Sequence, residues 1–331
     1  MYDVIVVGAG PAGILTGYHL KRNDLKYIIL EKDRVGNSWR NMRAGMLLLS
    51  PAVPSSDWTS LTFNHPIWDI SGVQKPFPTK DDFLCYLEKF VLDNKLNVKT
   101  KAPVSLIEKV KGGFMVSSDG EQYFSSYVII ATGGYTVPRY PDIPGLKDSS
   151  FVIHSSDFFN CMTYQEKKVL VVGSGNSAAE IAIDLSGVAE VTLLSRERLK
   201  YFTETNDLVH IRGLSESVLK ELIQFGIIEY ISNEGVASVE GGLVKFESGG
   251  SKEFHSIIAA TGFGPSLPPL QGIYLESDDK GIPLINDLGE SVSAEGVFFS
   301  GSLALFNNRC RFIHGFRNEV EKVTWAIFDR L

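Results

Sequence analysis

The sequence predicts an α/β fold: two Rossmann-like dinucleotide-binding domains, the second inserted in the first. Three observations predict it. Two apolar strands each run straight into a glycine turn and then a helical pattern. The two copies stand in one register. Downstream of each copy lies a second buried strand that ends on Ala-Thr-Gly.

The first copy opens the chain, VIVVGAGPAG. Val4 to Val7 make the strand, Gly8-x-Gly10-x-x-Gly13 the turn, and Leu15, Tyr18 and Leu20 continue at helical spacing. Each glycine has its own task. The first allows the tight turn, the second lets a pyrophosphate approach the backbone, and the third lets helix pack on strand. The helix N-terminus then offers unpaired N–H groups and a positive dipole end to the phosphates. A second strand, KYIILEKD, follows and closes on Glu31.

The second copy reads KVLVVGSGNSAAEIAIDL. Its turn runs Gly173, Ser174, Gly175, Asn176, Ser177, Ala178, with alanine in the third glycine place, which the pattern permits. Setting Gly173 on Gly8 brings Leu185 onto Leu20 and Arg196 onto Glu31 without a gap. The strand VTLLSRER therefore ends on a base where its twin ends on an acid. An acid there accepts hydrogen bonds from ribose hydroxyls and repels a 2′-phosphate; a base pairs with that phosphate. The expectation is FAD on the first turn and NADPH on the second. Arg198 is either a helper of Arg196 or a solvated surface arginine.

Between the copies, Thr79 and Asp82 form a capping box. Phe83, Leu84, Leu87, Phe90 and Val91 then follow at helical spacing. Next comes a strand meander with turns at Gly112-Gly113 and Asp119-Gly120. YVIIATGG and SIIAATGFG place Thr132-Gly133 and Thr261-Gly262 just after buried strands, where small residues let the chain cross beside a nucleotide or leave a domain. With the Pro/Gly linkers YTVPRYPDIPG and GFGPSLPPL, they divide the chain into 1–144 and 263–331 for the FAD domain and 145–262 for the NADPH domain. A strand, GVFFSG, precedes a terminal helix. Its Phe316, Val320, Val323, Ile327 and Phe328 are expected on one face, packed back on the first domain.

The bulk numbers exclude several classes. The chain has 331 residues and a formal net charge of -7, and it lacks the basic stripe a nucleic-acid binder needs. No apolar run approaches the ~20 residues of a membrane span, and the N-terminus reads as a buried strand rather than a leader. Cys85, Cys161 and Cys310 lie far apart, with no zinc spacing and no Cys-x-x-Cys pair. That pattern fits a reducing cytoplasm and no bound metal.

On these motifs the chain resembles the two-dinucleotide-binding-domain flavoproteins, and within them the short bacterial relatives of flavin-containing monooxygenases. EKDRVGNSW is similar to their segment after the FAD acid, with Gly36, Ser38 and Trp39 matching and Asn37 replacing a glycine. LLLSPAVPSSDW and KPFPTKDDFLCYLEKF carry the same likeness. The resemblance implies FAD contacts at Pro11, Ala12, Lys32, Ser38, Trp39, Val104, Thr132, Gly133, Gly301 and Ser302. It implies NADPH contacts from Gly173 to Ala178 and at Arg196, Thr261 and Gly262. The activity it implies is flavin reduction by NADPH, then oxygen activation at the flavin C4a, with one oxygen passed to a soft sulfur, nitrogen or ketone.

Departures from that family are also plain. Of the signature Phe-x-Gly-x-x-x-His-x-x-x-Tyr/Phe, His154 and Phe158 are present, while Asp148 and Ser150 hold the first two places. His154 is read either as a linker histidine near NADPH or as a surface histidine. Leu48-Leu49-Ser50 stands where many members place an active-site asparagine, and Gly301-Ser302 where related flavoproteins have Gly-Asp. No catalytic side chain is nominated, because the flavin carries the chemistry. Trp58, Trp68 and Phe77 are loop aromatics that line a substrate pocket or pack in the core.

The competing reading is a reductase that passes electrons to a ferredoxin-like or disulfide partner. Thioredoxin-reductase chemistry needs the missing Cys-x-x-Cys. The bacillithiol-disulfide-reductase type carries a cysteine in the first glycine turn, where this chain has Ala12. A redox sensor without turnover would not need the second site. A small-molecule substrate and O2 are the expected partners, and a homodimer is left open.

Overall fold

The computed structural model describes residues Met1–Leu331, Asn308 by its backbone alone. The chain divides into two compact units. Unit 1 comprises Met1–Asn41, Gly45–Val137 and Gly264–Leu331; unit 2 comprises Met42–Ala44 and Pro138–Phe263.

Unit 1 is built on β1 (Tyr2–Val7), α1 (Pro11–Arg22) and β2 (Tyr27–Leu30). Then come α2 (Asn37–Arg40), a small hairpin of β3 (Ala52–Val53) and β4 (Ser56–Asp57), α3 (Ile67–Ser71), α4 (Lys80–Asp93) and β5 (Val98–Lys99). The meander is β6 (Val104–Val110), β7 (Gly113–Ser118) and β8 (Glu121–Ile130). After the excursion through unit 2 the chain returns with β19 (Leu270–Gln271), β20 (Val297–Phe299) and α8 (Ile313–Phe328). Strands β2 and β8 flank β1 in parallel, β5 extends the edge beyond β2, and β19 pairs with β6. On the edge away from β1, long β8 serves two neighbours. Its first half pairs antiparallel with β7, and Val128–Ile130 pairs in parallel with β20.

Side chains alternate across β1. Val4 and Val6 join one buried cluster with Leu15, Phe83, Phe90 and Val320, on the side of α1, α4 and α8. Ile5 and Val7 join another with Ile107, Phe114 and Val116 of the meander. Burial on both faces is why the strand reads as an unbroken apolar run. Helix α4 begins with the expected capping box, in which the Thr79 side chain accepts from Asp82 N–H and the Asp82 carboxylate accepts from Thr79 N–H. The Asp119-Gly120 turn has φ of 49° and 75°, the left-handed pair a two-residue hairpin requires. Helix α8 packs in the first cluster through Phe316, Val320, Val323 and Ile327. Phe328 departs from the expected face: it is 43% exposed and meets Trp325 edge-on. At 3.6 residues per turn it lies about 100° round the helix from Ile327, off the stripe that Phe316, Val320, Val323 and Ile327 bury. Trp68, expected on a loop, lies in α3.

Unit 2 repeats the plan. It contains β10 (Val152–His154), β11 (Lys168–Val172), α5 (Asn176–Leu185), β12 (Glu190–Ser195), α6 (Phe202–Thr205) and α7 (Gly213–Gln224). It continues with β13 (Ile228–Ser232), the meander β14 (Val236–Glu240), β15 (Leu243–Phe246) and β16 (Ser251–Glu253), and then β17 (Ser256–Ala259). The parallel sheet runs β10-β17-β11-β12-β13, matching β20-β8-β1-β2-β5. Val169 and Val171 face the α5 and α7 side, while Leu170 and Val172 face the meander. Arg43, from the short Met42–Ala44 piece, pairs with Glu180 and Asp184 on α5. The outgoing strand β9 (Val137–Pro138) and the returning strand β18 (Phe263–Gly264) pair with each other. Among the described residues no helix is long and apolar enough to cross a membrane.

Candidate dinucleotide sites

Each glycine turn lies at the carboxyl edge of its parallel sheet, directly before a helix. Gly8 has φ of +104°, and a Cβ there would stand 2.8 Å from Ala131 O. Gly173 repeats the contact, with Ala260 O 2.4 Å from its Cβ position. The first glycine of each turn is thus required by the Ala-Thr-Gly strand end beside it. A Cβ on Gly13 would fall 1.9 Å from Gly8 O, so the third glycine closes the turn on itself; Ala178 is buried at the matching place in unit 2. Gly10 and Gly175 differ. A Cβ on either would meet nothing within 4 Å, so the space beside both is open.

The helices behind these turns begin without capping side chains. Neither α1 nor α5 has a side-chain cap or an acid in its first turn, and Pro11 opens α1. Their first N–H groups therefore face outward unpaired, as a diphosphate needs. Helix α4, with a capping box and with Asp81 and Asp82 in its first turn, shows the capped and acidic alternative, which would repel an anion.

Glu31 follows β2 and is buried. Its Oε2 accepts from Ala9 N–H at 2.7 Å and its Oε1 from Asp33 N–H at 3.1 Å. A carboxylate with two oxygens has further acceptor capacity after these two bonds, which suits ribose hydroxyls. Ala9 O in turn receives Gly36 N–H at 2.9 Å, which draws the segment holding Ser38 and Trp39 to the turn. Ser38 is exposed, while the Trp39 ring packs on Phe83 at 4.8 Å. Lys32 is exposed, and Val104 starts β6, half-buried.

Gly301 and Ser302 reach the same turn from the far end of the chain. A Cβ on Gly301 would lie 2.5 Å from Ala12 Cβ. Thr16 donates to Ala12 O and pairs with Ser300 Oγ at 2.9 Å. Ser302 Oγ accepts from Gly134 N–H at 2.8 Å, next to Gly133. The structure thus gathers Gly8 to Gly13, Glu31, Gly133, Gly301 and Ser302 around one turn. Ala131, from the Ala-Thr-Gly strand end, joins them; Thr16 and Ser300 also belong to that set and escaped sequence reading, since small buried residues carry no local signal.

In unit 2, Asn176 ties down a distant loop: its Nδ2 donates to His210 O and its Oδ1 accepts from Arg212 N–H. Ser174 and Ser177 are exposed. Arg196 follows β12 directly, is exposed, and has no hydrogen bond or ion pair among the described residues. Tyr230 OH shapes the loop around it, pairing with Ser195 Oγ and accepting from Leu199 N–H. Arg198 borders a cavity of about 280 Å³ together with Tyr201, Lys220 and Tyr230.

The two threonines have unexpected duties. Thr132 Oγ1 donates to Ser266 O at 2.8 Å, and Thr261 Oγ1 donates to Arg139 O at 2.5 Å. Each pins the other chain crossing of its own unit, so the hydroxyl donors are already engaged. His154 corrects one of its two readings: it is fully buried, not on the surface. Burial lowers its pKa, with the Gly262 carbonyl only partly opposing.

A glycine turn after a parallel strand in each unit, with an acid and a base at matching strand ends, agrees with the comparison to known proteins. The model of the pyridine nucleotide-disulphide oxidoreductases matches residues 5–301. The chain belongs to that family. Like the family, it is a flavoprotein oxidoreductase that uses FAD and a nicotinamide nucleotide. An uncharacterized oxidoreductase, CzcO, of Bacillus subtilis (strain 168) is 30% identical over 360 aligned positions, covering 98% of both chains. In fold, the chain is similar to the bacillithiol disulfide reductase Bdr (YpdA) from Staphylococcus aureus. It is equally similar to a flavin-containing monooxygenase from Stenotrophomonas maltophilia. Each of these two structures has a TM-score of 0.85 at 22% identity, covering 99% of this chain and 98% of its own.

The family's disulphide chemistry has no dithiol here. Cys85 is exposed, Cys161 half-buried and Cys310 buried, all of them free. Burial pushes the Cys310 thiol up, away from the reactive thiolate. Among the described residues no three His, Cys, Asp or Glu side chains group to hold a metal.

Proposed function

We propose that this oxidoreductase is an FAD- and NADPH-dependent monooxygenase acting on a small soft nucleophile or ketone. The observation that carries the reading is at Ala12. The first glycine turn holds a methyl group pressed against Gly301, where a single-cysteine reductase would hold its thiol. With no thiol at the turn and no cysteine pair elsewhere, electrons have no dithiol to pass through on this chain.

Bound FAD would supply the redox chemistry, hydride uptake from NADPH and two electrons for O2, which the protein's own side chains need not provide. The protein's part is to bind and orient. The α1 N–H groups receive the FAD diphosphate, and Glu31 accepts from its ribose. The α5 N–H groups receive the second diphosphate, and Arg196 pairs with the 2′-phosphate. Trp58 meets His314 at 4.8 Å with the rings tilted by 33°, and His314 stacks on Phe312 at 6.0 Å. These three half-buried rings would give a substrate an aromatic surface in unit 1.

The test supplies NADPH, 18O2 and a panel of thioethers, amines and ketones to the FAD-loaded protein. Product carrying one labelled oxygen, in step with NADPH consumed, supports the reading. NADPH consumption matched by peroxide with every substrate, alongside rapid reduction of a disulfide or ferredoxin-like protein, would replace it with the reductase reading.

A further inference from the structure

We infer that His154 is a positioning residue for the nicotinamide nucleotide: its Nε2–H holds Gly262 O and thereby fixes the Ala260–Gly262 turn that closes on Gly173. The inference rests on the reading of Gly173 to Ala178 as the NADPH turn.

The tautomer follows from the bonds. Ser156 N–H donates to Nδ1 at 3.2 Å, so in the neutral ring Nδ1 is the acceptor and the hydrogen sits on Nε2. Nε2 lies 3.0 Å from Gly262 O. Two aromatic edges hold the ring plane, Tyr140 at 5.4 Å and Phe263 at 4.8 Å. The imidazole is therefore locked in place, tautomer and orientation together, by contacts from three directions.

Gly262 O also accepts from Arg139 N–H at 3.0 Å. Two donors on one carbonyl fix the peptide plane after Gly262, whose φ of +92° only glycine adopts readily. Two residues earlier, Ala260 N–H donates to Val172 O at 2.8 Å, and Ala260 O is the atom that excludes a side chain from Gly173. The path from His154 to the glycine turn is thus three residues of clamped backbone. In unit 1 the turn after Ala131 is braced differently, by Ser302 on Gly134 N–H. A histidine buried with both nitrogens spoken for contributes little as an acid or base. Its value lies in holding that backbone together with Arg139 N–H and the Thr261 hydroxyl.

The test uses the full-length, FAD-loaded protein and measures NADP+ and NAD+ binding by calorimetry, which does not depend on what the reduced flavin later does. H154N keeps an acceptor near Nδ1 but loses the bond to Gly262; H154F keeps the ring without either bond; H154Q sets an amide N–H where Nε2–H stands. H154N and H154F should weaken NADP+ and NAD+ by the same factor, about tenfold, as loss of one buried hydrogen bond does. H154Q should stay within about threefold of wild type, and FAD content should not change. NADP+ binding within twofold of wild type in H154N or H154F overturns the inference, and so does H154Q failing as badly as H154N. Should H154F not fold, the contrast between H154N and H154Q decides. Wild-type protein that binds neither nucleotide overturns the NADPH reading of the turn, and this inference with it.

Discussion

Gly10→Ala is expected to leave the fold intact and to cost the protein its FAD. The backbone at Gly10 has φ of −75° and ψ of −179°, open to any L-residue, and a Cβ there meets no protein atom within 4 Å. Alanine at such a position stabilises by about 0.4–1 kcal/mol through the unfolded chain, a rise in Tm of roughly 1–4 °C. The same methyl group enters the space the diphosphate needs. Overpacking by one methyl costs about 1–3 kcal/mol, or roughly 5- to 150-fold in Kd. Gly13→Ala should behave in the opposite way, because its Cβ would press into Gly8 O at 1.9 Å, and the apo-protein itself should be destabilised. The assay strips the flavin, melts both apo-proteins and titrates FAD by fluorescence quenching. Wild-type FAD affinity in Gly10→Ala would refute the diphosphate site at this turn. Gly175→Ala is the companion, losing NADP+ while keeping FAD.

Glu31→Gln leaves either Ala9 N–H or Asp33 N–H facing an amide donor, at a cost of about 1–3 kcal/mol; the apo-protein should melt several degrees lower, and an unchanged Tm would remove Glu31 from the turn's support. Arg196→Ala should raise KM for NADPH about 10- to 150-fold, the loss of a charge-assisted bond of ~1.5–3 kcal/mol, with NADH little changed; equal losses with both would sink the phosphate role. Glu290 accepts from Arg330 through both oxygens at 2.8 Å and from Gly296 N–H. Burial pushes that carboxyl up, but Arg330 and the N–H outweigh it and hold the pKa below the ordinary range. A depressed pKa stabilises above the unfolded value of about 4.3 and loses that contribution as pH falls through the folded value. The Tm gap between wild type and Glu290→Gln should be full at neutral pH and close below about pH 4; a gap independent of pH would count against the pair.

Much of the architecture was legible because it is written in local chemistry. The capping box at Thr79 and Asp82 needs only four consecutive residues, and the Asp119-Gly120 turn only two. The unbroken runs at Val4–Val7 and Val169–Val172 follow from burial on both faces of a parallel strand. Phe328 was misplaced because it directly follows Ile327, and neighbours in a helix point about 100° apart, so both cannot lie on the buried stripe. Trp39 looked like a cofactor contact from its motif; its ring is also part of the packing on Phe83.

The sequence by itself determined that the chain holds two copies of one nucleotide-binding unit, and that one ends its second strand on an acid and the other on a base. Period, turn glycines and the charge of one residue are all short-range properties, so a linear reading reaches them. Only the tertiary structure decided what closes each turn. Ala131 and Ala260 exclude side chains from Gly8 and Gly173; Gly301 meets Ala12 across nearly the whole chain. Thr132, Thr261 and His154 spend their donors on carbonyls of Ser266, Arg139 and Gly262. A backbone carbonyl is the same in every residue and leaves no trace in sequence, so which one a buried hydroxyl or imidazole reaches is settled only when the chain has folded.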